Sequence, residues 1–179
     1  IPNLTPIAQD GRWGLIHSGK KYSLISLDAY RPPYIPWHLT TQEFFQEVYH
    51  HLEDNGTMVL NVGRVPEEEQ LLAGLVATLQ TVFPSVYVID VPGTFNSMIY
   101  ATAQPTRWEN LESNLTYILQ SDTPDPTLVA SIKIVLNHRR LLPEGGQVFT
   151  DDKAPIEQIT NQMVLNSILT EPQLLGGDQ

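Results

Sequence analysis

The sequence predicts an α/β protein with a mostly parallel sheet, a terminal antiparallel hairpin and a helical carboxyl-terminal region. Two short apolar runs, at 22–28 and 57–63, flank a segment with helical spacing of apolar residues, which is the pattern of a strand–helix–strand unit. A third run at 86–91 is followed after five residues by a fourth at 97–102, so these two strands must be antiparallel neighbours. Alternating strands and helices are typical of domains whose helices cover both faces of a sheet.

The first unit covers about forty residues and predicts a parallel crossover. Its first strand, Tyr22–Asp28, is an apolar run that ends in an acid, as a buried strand does when its last residue emerges at the carboxyl edge of a sheet. A capping box with Thr40 as the cap begins the helix, and Asp54–Gly56 ends it. The second strand, Thr57–Gly63, has the same form as the first.

The rest of the chain continues with a helix, the hairpin and further helices. Pro66–Glu69 places acids in the first turn of a helix, which suits its dipole, and apolar residues up to Val82 follow on one face. The hairpin comes next. Three more helices are predicted, with the bounds 108–120, 127–138 and 156–169.

Composition excludes several classes of function. Ten Lys and Arg against twenty Asp and Glu give the 179 residues a net charge of −10, which repels phosphate backbones and argues against nucleic-acid binding. The absence of cysteine excludes disulfides and thiolate sites, and the five histidines lack metal-site spacing, so we expect no metal. No apolar run reaches the roughly 20 residues of a membrane helix, so we expect no membrane partner for this segment and a cytoplasmic location.

Asp28 is the first candidate functional residue. Ligands of open α/β sheets bind at the carboxyl ends of strands, where this carboxylate would project from an apolar strand. The loop that follows, at 29–37, contains two tyrosines, a tryptophan and three prolines, a stiff aromatic segment suited to forming a ligand wall. Two structural alternatives stay open: the acid caps a helix or forms a turn, and the rings cover the edge of the sheet.

Several motifs resemble those of spermidine synthase-like proteins in order and spacing. They are Gln9–Arg12, Tyr22–Tyr30, Leu39–Phe45, Asn55–Asn61 and, near the carboxyl end, Thr150–Glu157. The resemblance spans about residues 3–103, and the last motif extends it. It implies a Rossmann-like, S-adenosylmethionine-dependent methyltransferase-type sheet. It also implies an enzyme that moves an aminopropyl group from decarboxylated S-adenosylmethionine to an amine and releases methylthioadenosine.

The resemblance assigns roles position by position. Asp10 and Gly11 match the pair that contacts the adenine of the nucleotide in this family. Asp28 matches the aspartate that takes a proton from the attacking amine, and a carboxylate suits this step because a cationic amine must be held and deprotonated before it attacks. Tyr30 would pack against the methylene chain of the substrate, and Arg31 would lie in the same substrate loop.

Arg31 is a departure from the family pattern that leaves alternatives open. It stands where the synthases place a second acid, and a cation there would repel the amine of a polyamine at close range. It points to a different or anionic acceptor, or to a non-catalytic relative that acts as a dimerising or ligand-binding module. A methyltransferase that uses S-adenosylmethionine itself is a further alternative, because the scaffold is shared and fold does not fix chemistry.

A second departure is that the family's glycine-rich loop and ribose-binding acid have no counterpart in the sequence. We therefore expect residues 1–106 to be a partial methyltransferase-like domain, residues 107–179 to be a helical region, and the chain to be a fragment without activity of its own. In the family sheet, two missing strands would separate a strand at Leu4–Ile7 from the Tyr22 strand. The exposed edge of the Tyr22 strand then predicts pairing with another chain, such as a second copy in a homodimer.

Overall fold

A computed structural model describes residues 3–29, 35–64 and 69–170. Within these ranges the elements are α1 (Gly11–Ile16), β1 (Tyr22–Leu27), a 3-10 helix (Trp37–Leu39), α2 (Gln42–His51), β2 (Leu52–Gly63), α3 (Gln70–Gln80), β3 (Ser85–Asp90), β4 (Asn96–Thr102), α4 (Trp108–Leu119), α5 (Pro126–Asn137), β5 (Arg139–Arg140) and α6 (Ile156–Thr170). The predicted strands and helices between β1 and α6 are confirmed, whereas the 3-10 helix and the short strand β5 are elements that the sequence does not predict. Residues 66–68 of the predicted acidic first turn lie outside the described residues.

The five strands in these ranges form one mixed sheet in the order β1-β2-β4-β3-β5. β1 and β2 pair in parallel, as the strand–helix–strand unit predicts, with Leu27 opposite Leu60. β4 runs antiparallel to both β2 and β3, so the second strand of the hairpin inserts into the middle of the sheet. The short strand β5 pairs antiparallel with β3. The α/β class and the antiparallel hairpin are therefore confirmed. The expectation of a mostly parallel sheet is wrong for the described residues, because three of the four strand pairings are antiparallel and β5 pairs with the outer side of the hairpin.

The core lies between the sheet and the helices α2, α3 and α6. Because side chains alternate along a strand, one face of β2, β3 and β4 is apolar, and it includes the nearly fully buried Leu60, Val88 and Ile99. The helices contribute apolar stripes to the same cluster, with Phe45, Val48, Leu75, Leu79, Ile156 and Met163 among their residues. Removing these stripes from water is the main favourable contribution to folding.

Gly74 in α3 allows a close approach in this core. The ring of Phe149 packs over Gly74, and a Cβ at this position would lie 2.8 Å from Phe149 Cε1. Phe149 is fully buried, and its N–H donates to Thr78 Oγ1 at 2.9 Å. The segment that precedes α6 is therefore part of the same core as the sheet.

The other face of the hairpin is covered by α4 and α5. Tyr87 of β3 meets Trp108 edge to face, with the ring centroids 4.7 Å apart, and its hydroxyl shares a hydrogen bond with Thr106 Oγ1. Burial raises the pKa of Tyr100 on the neighbouring strand. A groove of about 420 Å³ lies between these rings and the two helices.

Near the amino terminus the structure corrects one expectation and adds one helix. Residues 4–7 form no strand. A strand needs a partner for its backbone N–H and C=O groups, and no strand in the described ranges pairs with these residues. Helix α1 is not predicted by the sequence, because six residues are too few to show helical periodicity.

The cap of α2 lies one residue later than predicted. Thr41, not Thr40, is the N-cap, and its Oγ1 accepts a hydrogen bond from Phe44 N–H at 3.3 Å. Thr40 Oγ1 instead donates to Trp37 O at 2.6 Å and closes the preceding 3-10 turn. The expected stop at Asp54–Gly56 is also wrong, because the chain passes from α2 straight into β2 and pairs with β1 from its first residue.

Candidate functional site

Asp28 directly follows β1 at the carboxyl end of the parallel pair. The residue is exposed, and its Oδ1 accepts a hydrogen bond of 3.0 Å from Nδ2 of Asn61. Asn61 belongs to β2 and lies beside Asp28, because Leu27 is opposite Leu60 in the parallel register. A carboxylate has about four acceptor positions, so this bond orients Asp28 and leaves positions for a second donor such as an amine.

Asn61 is a site residue that the sequence analysis does not single out. The available signal is one polar residue inside the apolar run Thr57–Gly63. Periodicity assigns Asn61 to a face of its strand, but only the register between two strands shows that it meets Asp28. Tyr30 and Arg31, the two residues expected to contact substrate, lie outside the described residues, and their roles stay predictions.

Asp10 and Gly11 lie at the start of α1. Asp10 is the N-cap, since its Oδ1 accepts from Trp13 N–H at 2.9 Å, and its Oδ2 lies 3.0 Å from Nε2 of His38. The hydrogen bond from Trp13, together with the contact to His38, holds the pKa of the Asp10 carboxyl below its ordinary value. A Cβ on Gly11 would meet no atom within 4 Å, so packing in the described structure does not explain this glycine.

A groove of about 600 Å³ lies between α1 and β1. Its walls include Gly11 and Trp13 from α1, and Ile25 and Leu27 from β1. Leu27 is the residue before Asp28. Of the expected site residues in the described ranges, Gly11 lines this groove, whereas Asp10 and Asp28 do not. β1 pairs with β2 on one side, and no strand in the described ranges pairs with its other side.

Arg12 follows the expected adenine pair and connects three segments of the chain. Its guanidinium donates two hydrogen bonds to Glu47 of α2, at 2.7 and 2.8 Å, and two to Asp151, at 2.8 and 2.9 Å. A fifth bond of 3.1 Å goes to the carbonyl oxygen of His38. The bonds to Asp151 and Glu47 raise the pKa of Arg12, and the bond from Arg12 is the largest cause that lowers the pKa of Asp151.

The acids of this region face protein nitrogen donors. Asp28 faces an amide, Asp10 an imidazole and Asp151 a guanidinium. Across 3–29, 35–64 and 69–170, no group of three or more His, Cys, Asp or Glu side chains is placed to hold a metal ion. In the same ranges no helix combines the length and the apolar character that crossing a bilayer requires.

The fold and the site together define a class of protein. The observed sheet has an acid at the carboxyl end of a parallel strand and an antiparallel hairpin. Both features agree with the methyltransferase-type sheet that the sequence resemblance implies. The solved structure of a probable spermidine synthase from Corynebacterium glutamicum is similar, with a TM-score of 0.54 over 80% of this chain and 52% of that chain, at 21% identity. The chain therefore has a Rossmann-like, methyltransferase-type fold.

Two curated relatives identify the family. A probable polyamine aminopropyl transferase of Bifidobacterium longum is 30% identical over 161 residues, which are 83% of this chain and 36% of that protein. A polyamine aminopropyltransferase of Vibrio vulnificus is 36% identical over 77 residues, 41% of this chain and 24% of that protein. No protein-family model matches the chain. The chain belongs to the spermidine synthase-like family, and its matches span about a third and about a quarter of these two relatives.

Proposed function

We propose that the chain is part of an aminopropyltransferase in which Asp28 is the general base. The proposed reaction moves the aminopropyl group of decarboxylated S-adenosylmethionine to an amine and releases methylthioadenosine. The observation that carries the proposal is the Asp28 carboxylate, which follows β1 at the carboxyl end of the parallel pair and accepts a hydrogen bond from the Asn61 amide. The two relatives named as polyamine aminopropyl transferases support the same reaction.

The reaction needs a carboxylate near the acceptor for two reasons. A polyamine is a cation at neutral pH, and its ammonium groups have no lone pair with which to attack carbon. In the proposed step Asp28 takes the proton, the freed nitrogen bonds to the methylene carbon beside the sulfonium, and the carbon–sulfur bond breaks with its electrons passing to sulfur. Neutral methylthioadenosine then leaves. The negative charge of Asp28 also attracts the cationic acceptor.

In this proposal Asn61 keeps the base in the correct orientation. Its Nδ2 donates to Oδ1 of Asp28, while Oδ2 has no hydrogen-bond partner in the part of the chain that the structure describes. A base whose side-chain rotation is restrained on one oxygen presents the other oxygen in a constant direction. We therefore assign proton transfer to Oδ2 of Asp28.

The nucleotide and the acceptor are assigned to the neighbouring residues. Asp10 and Gly11 would hold the adenine, and the open space beside Gly11 lets a flat ring approach the backbone. Tyr30 would pack on the methylene chain of the acceptor. Arg31 in the same loop would repel a second ammonium group, which favours an acceptor with fewer positive charges than a polyamine. S-adenosylmethionine itself is the alternative donor.

The proposal also concerns what lies outside the chain. Residues 1–106 would carry the site, and residues 107–179 would form the helical region. The glycine-rich loop and the ribose-binding acid of the family would come from outside this chain, as would a strand that pairs with β1, from upstream or from a second copy. The greater length of the relatives and the unpaired side of β1 support this division. The expected cytoplasmic location is part of the same proposal.

The test uses the full-length polypeptide that contains this chain, decarboxylated S-adenosylmethionine and a series of amines. Methylthioadenosine release, followed by chromatography, should depend on the amine. Asp28→Asn should lower turnover by roughly 10² or more and leave nucleotide affinity nearly unchanged. Asp54→Asn is the matched control, because it neutralises an exposed acid at the amino end of β2, and it should keep wild-type turnover. Amine-independent release, or unchanged turnover in Asp28→Asn, would contradict the proposal.

A further inference from the structure

The guanidinium of Arg12 uses its full hydrogen-bonding capacity. Arginine has five N–H donors, and all five of Arg12 have acceptors: four carboxylate oxygens of Glu47 and Asp151 and the carbonyl oxygen of His38. The Arg12 side chain is 15% exposed, against 28% for Glu47 and 39% for Asp151. Paired bonds from one planar group fix the relative geometry of the partners more strictly than a single ion pair does.

Asp151 belongs to a segment that is held in place without Arg12. Three hydrogen bonds join 149–151 to the start of α2: Gln42 N–H to Phe149 O at 2.8 Å, Thr41 Oγ1 to Asp151 Oδ1 at 2.6 Å, and Asp151 N–H to Glu43 Oε2 at 2.9 Å. The buried ring of Phe149 adds a fourth attachment through its packing in the core. The segment 149–151 is therefore a fixed support.

Helix α1, in contrast, has few attachments. None of its residues is fully buried: Trp13, its largest side chain, is 55% exposed, and Leu15 is a partly buried residue that packs against the core. Among the described residues, the hydrogen bonds that join residues 10–16 to the rest of the fold are those of Arg12 and the contact between Asp10 and His38. The position of α1 therefore depends on Arg12 far more than the position of 149–151 does.

We propose that Arg12 is a positioning residue for the nucleotide site: it anchors α1 to α2 and to the segment 149–151, and so holds Asp10 and Gly11 in place for the adenine. His38 connects Arg12 to Asp10: its carbonyl oxygen accepts a hydrogen bond from Arg12, and its ring Nε2 contacts Oδ2 of Asp10. The adenine role of the pair rests on the proposed function. The anchoring itself can be tested without it.

Geometry, and not charge alone, is what the proposal requires of residue 12. A lysine would keep the positive charge between the two carboxylates, but its single ammonium could not form paired bonds with both. Arg12→Lys therefore separates the two contributions. The anchoring of α1 should be lost in Arg12→Met and only partly kept in Arg12→Lys.

Amide hydrogen exchange in the chain tests the anchoring. In Arg12→Met the N–H of Trp13, which donates to Asp10, should exchange about tenfold faster or more, the factor expected for losing one charge-assisted hydrogen bond. The N–H of Asp151, which donates to Glu43, should keep its wild-type rate. Equal acceleration of both amides, or an unchanged rate at Trp13, would overturn the positioning role.

Arg140→Met is the matched control for this experiment. Arg140 also contacts two carboxylates, those of Asp90 and Glu69, and it lies in the strand at the opposite edge of the sheet. Its loss should leave the exchange of Trp13 unchanged. If Arg140→Met accelerates Trp13 as much as Arg12→Met does, the effect is one of global stability and the inference is refuted.

Kinetics of the full-length polypeptide connect the anchoring to the nucleotide. Arg12→Met should raise KM for decarboxylated S-adenosylmethionine about tenfold and leave kcat within a factor of about two, because Arg12 would not touch the reacting atoms. An unchanged KM would overturn the inference and leave the proposed function intact. A wild-type protein without turnover would refute the proposed function, and the exchange experiment would then decide on the anchoring alone.

Discussion

Replacing Gly74 with alanine tests the packing between α3 and the segment that precedes α6. An alanine Cβ would lie 2.8 Å from both Cε1 and Cε2 of Phe149, closer than Cβ atoms normally come to a neighbouring side chain. The ring is fully buried, so it cannot move out into solvent without exposing apolar surface. We expect overpacking to cost about 3 kcal/mol. The higher helix propensity of alanine offsets about 1 kcal/mol of this cost, so the free energy of unfolding should fall by about 2 kcal/mol.

In a protein that also carries Phe149→Leu, Gly74→Ala should raise the free energy of unfolding and not lower it. Phe149→Leu removes the ring atoms that would meet the new Cβ, although it lowers stability through the space it leaves. In that background Gly74→Ala should raise the free energy of unfolding by about 1 kcal/mol, the propensity contribution alone. The coupling free energy between the two substitutions is then about 3 kcal/mol.

Urea unfolding of the four proteins, followed by circular dichroism, measures each free energy of unfolding. Equal denaturant slopes across the set would show that the substitutions change stability and not the compactness of either state. A stabilising effect of Gly74→Ala in the wild-type background would refute the reasoning, because the ring would then not press on α3. The same effect in both backgrounds would refute it as well.

Three other measurements examine local contacts. Thr41→Val should lower the free energy of unfolding by about 2 kcal/mol through loss of the N-cap, and Thr40→Val by about 1 kcal/mol, both in urea. The pKa of Asp151 is lowered, chiefly by its bond from Arg12, so its stabilisation exists above the unfolded pKa and is lost as the pH falls through the folded pKa. The stability difference between wild type and Asp151→Asn should therefore shrink below about pH 4 in unfolding curves. Arg31→Asp in the full-length polypeptide should raise putrescine-dependent methylthioadenosine release.

Each of these measurements has a clear contrary outcome. A larger loss for Thr40→Val than for Thr41→Val would return the cap to the position that the sequence predicts. A stability difference for Asp151→Asn that grows toward acid would contradict the ion pair with Arg12. Unchanged release in Arg31→Asp would show that this side chain lies away from the acceptor, and the preference for a less cationic acceptor would be withdrawn.

Local patterns were sufficient for the strands β1 to β4, for the helices α2 to α6 and for the place of Asp28 at the end of a strand, but not for the 3-10 helix or the two-residue strand β5. Periods of two and of 3.6 residues, and turns between them, are properties of neighbouring residues, so they are visible in the sequence. Local patterns do not always fix the exact end of an element. The pattern placed the cap of α2 on Thr40, because two adjacent threonines fit the same capping rule, and only the competing bond from Thr40 to Trp37 separates them.

Contacts between distant residues depend on how the elements pack. Asn61 meets Asp28 because β1 and β2 adopt one parallel register, and a shift by one residue would turn Asn61 to the other face. Arg12 meets Asp151 across 139 residues of sequence, because the core places 149–151 at the start of α2. Spacing along the chain carries no information about a contact at that separation. The class of fold and the place of Asp28 were therefore accessible from the amino-acid order, whereas the contacts of Asp28 with Asn61 and of Arg12 with Asp151 follow from three-dimensional packing.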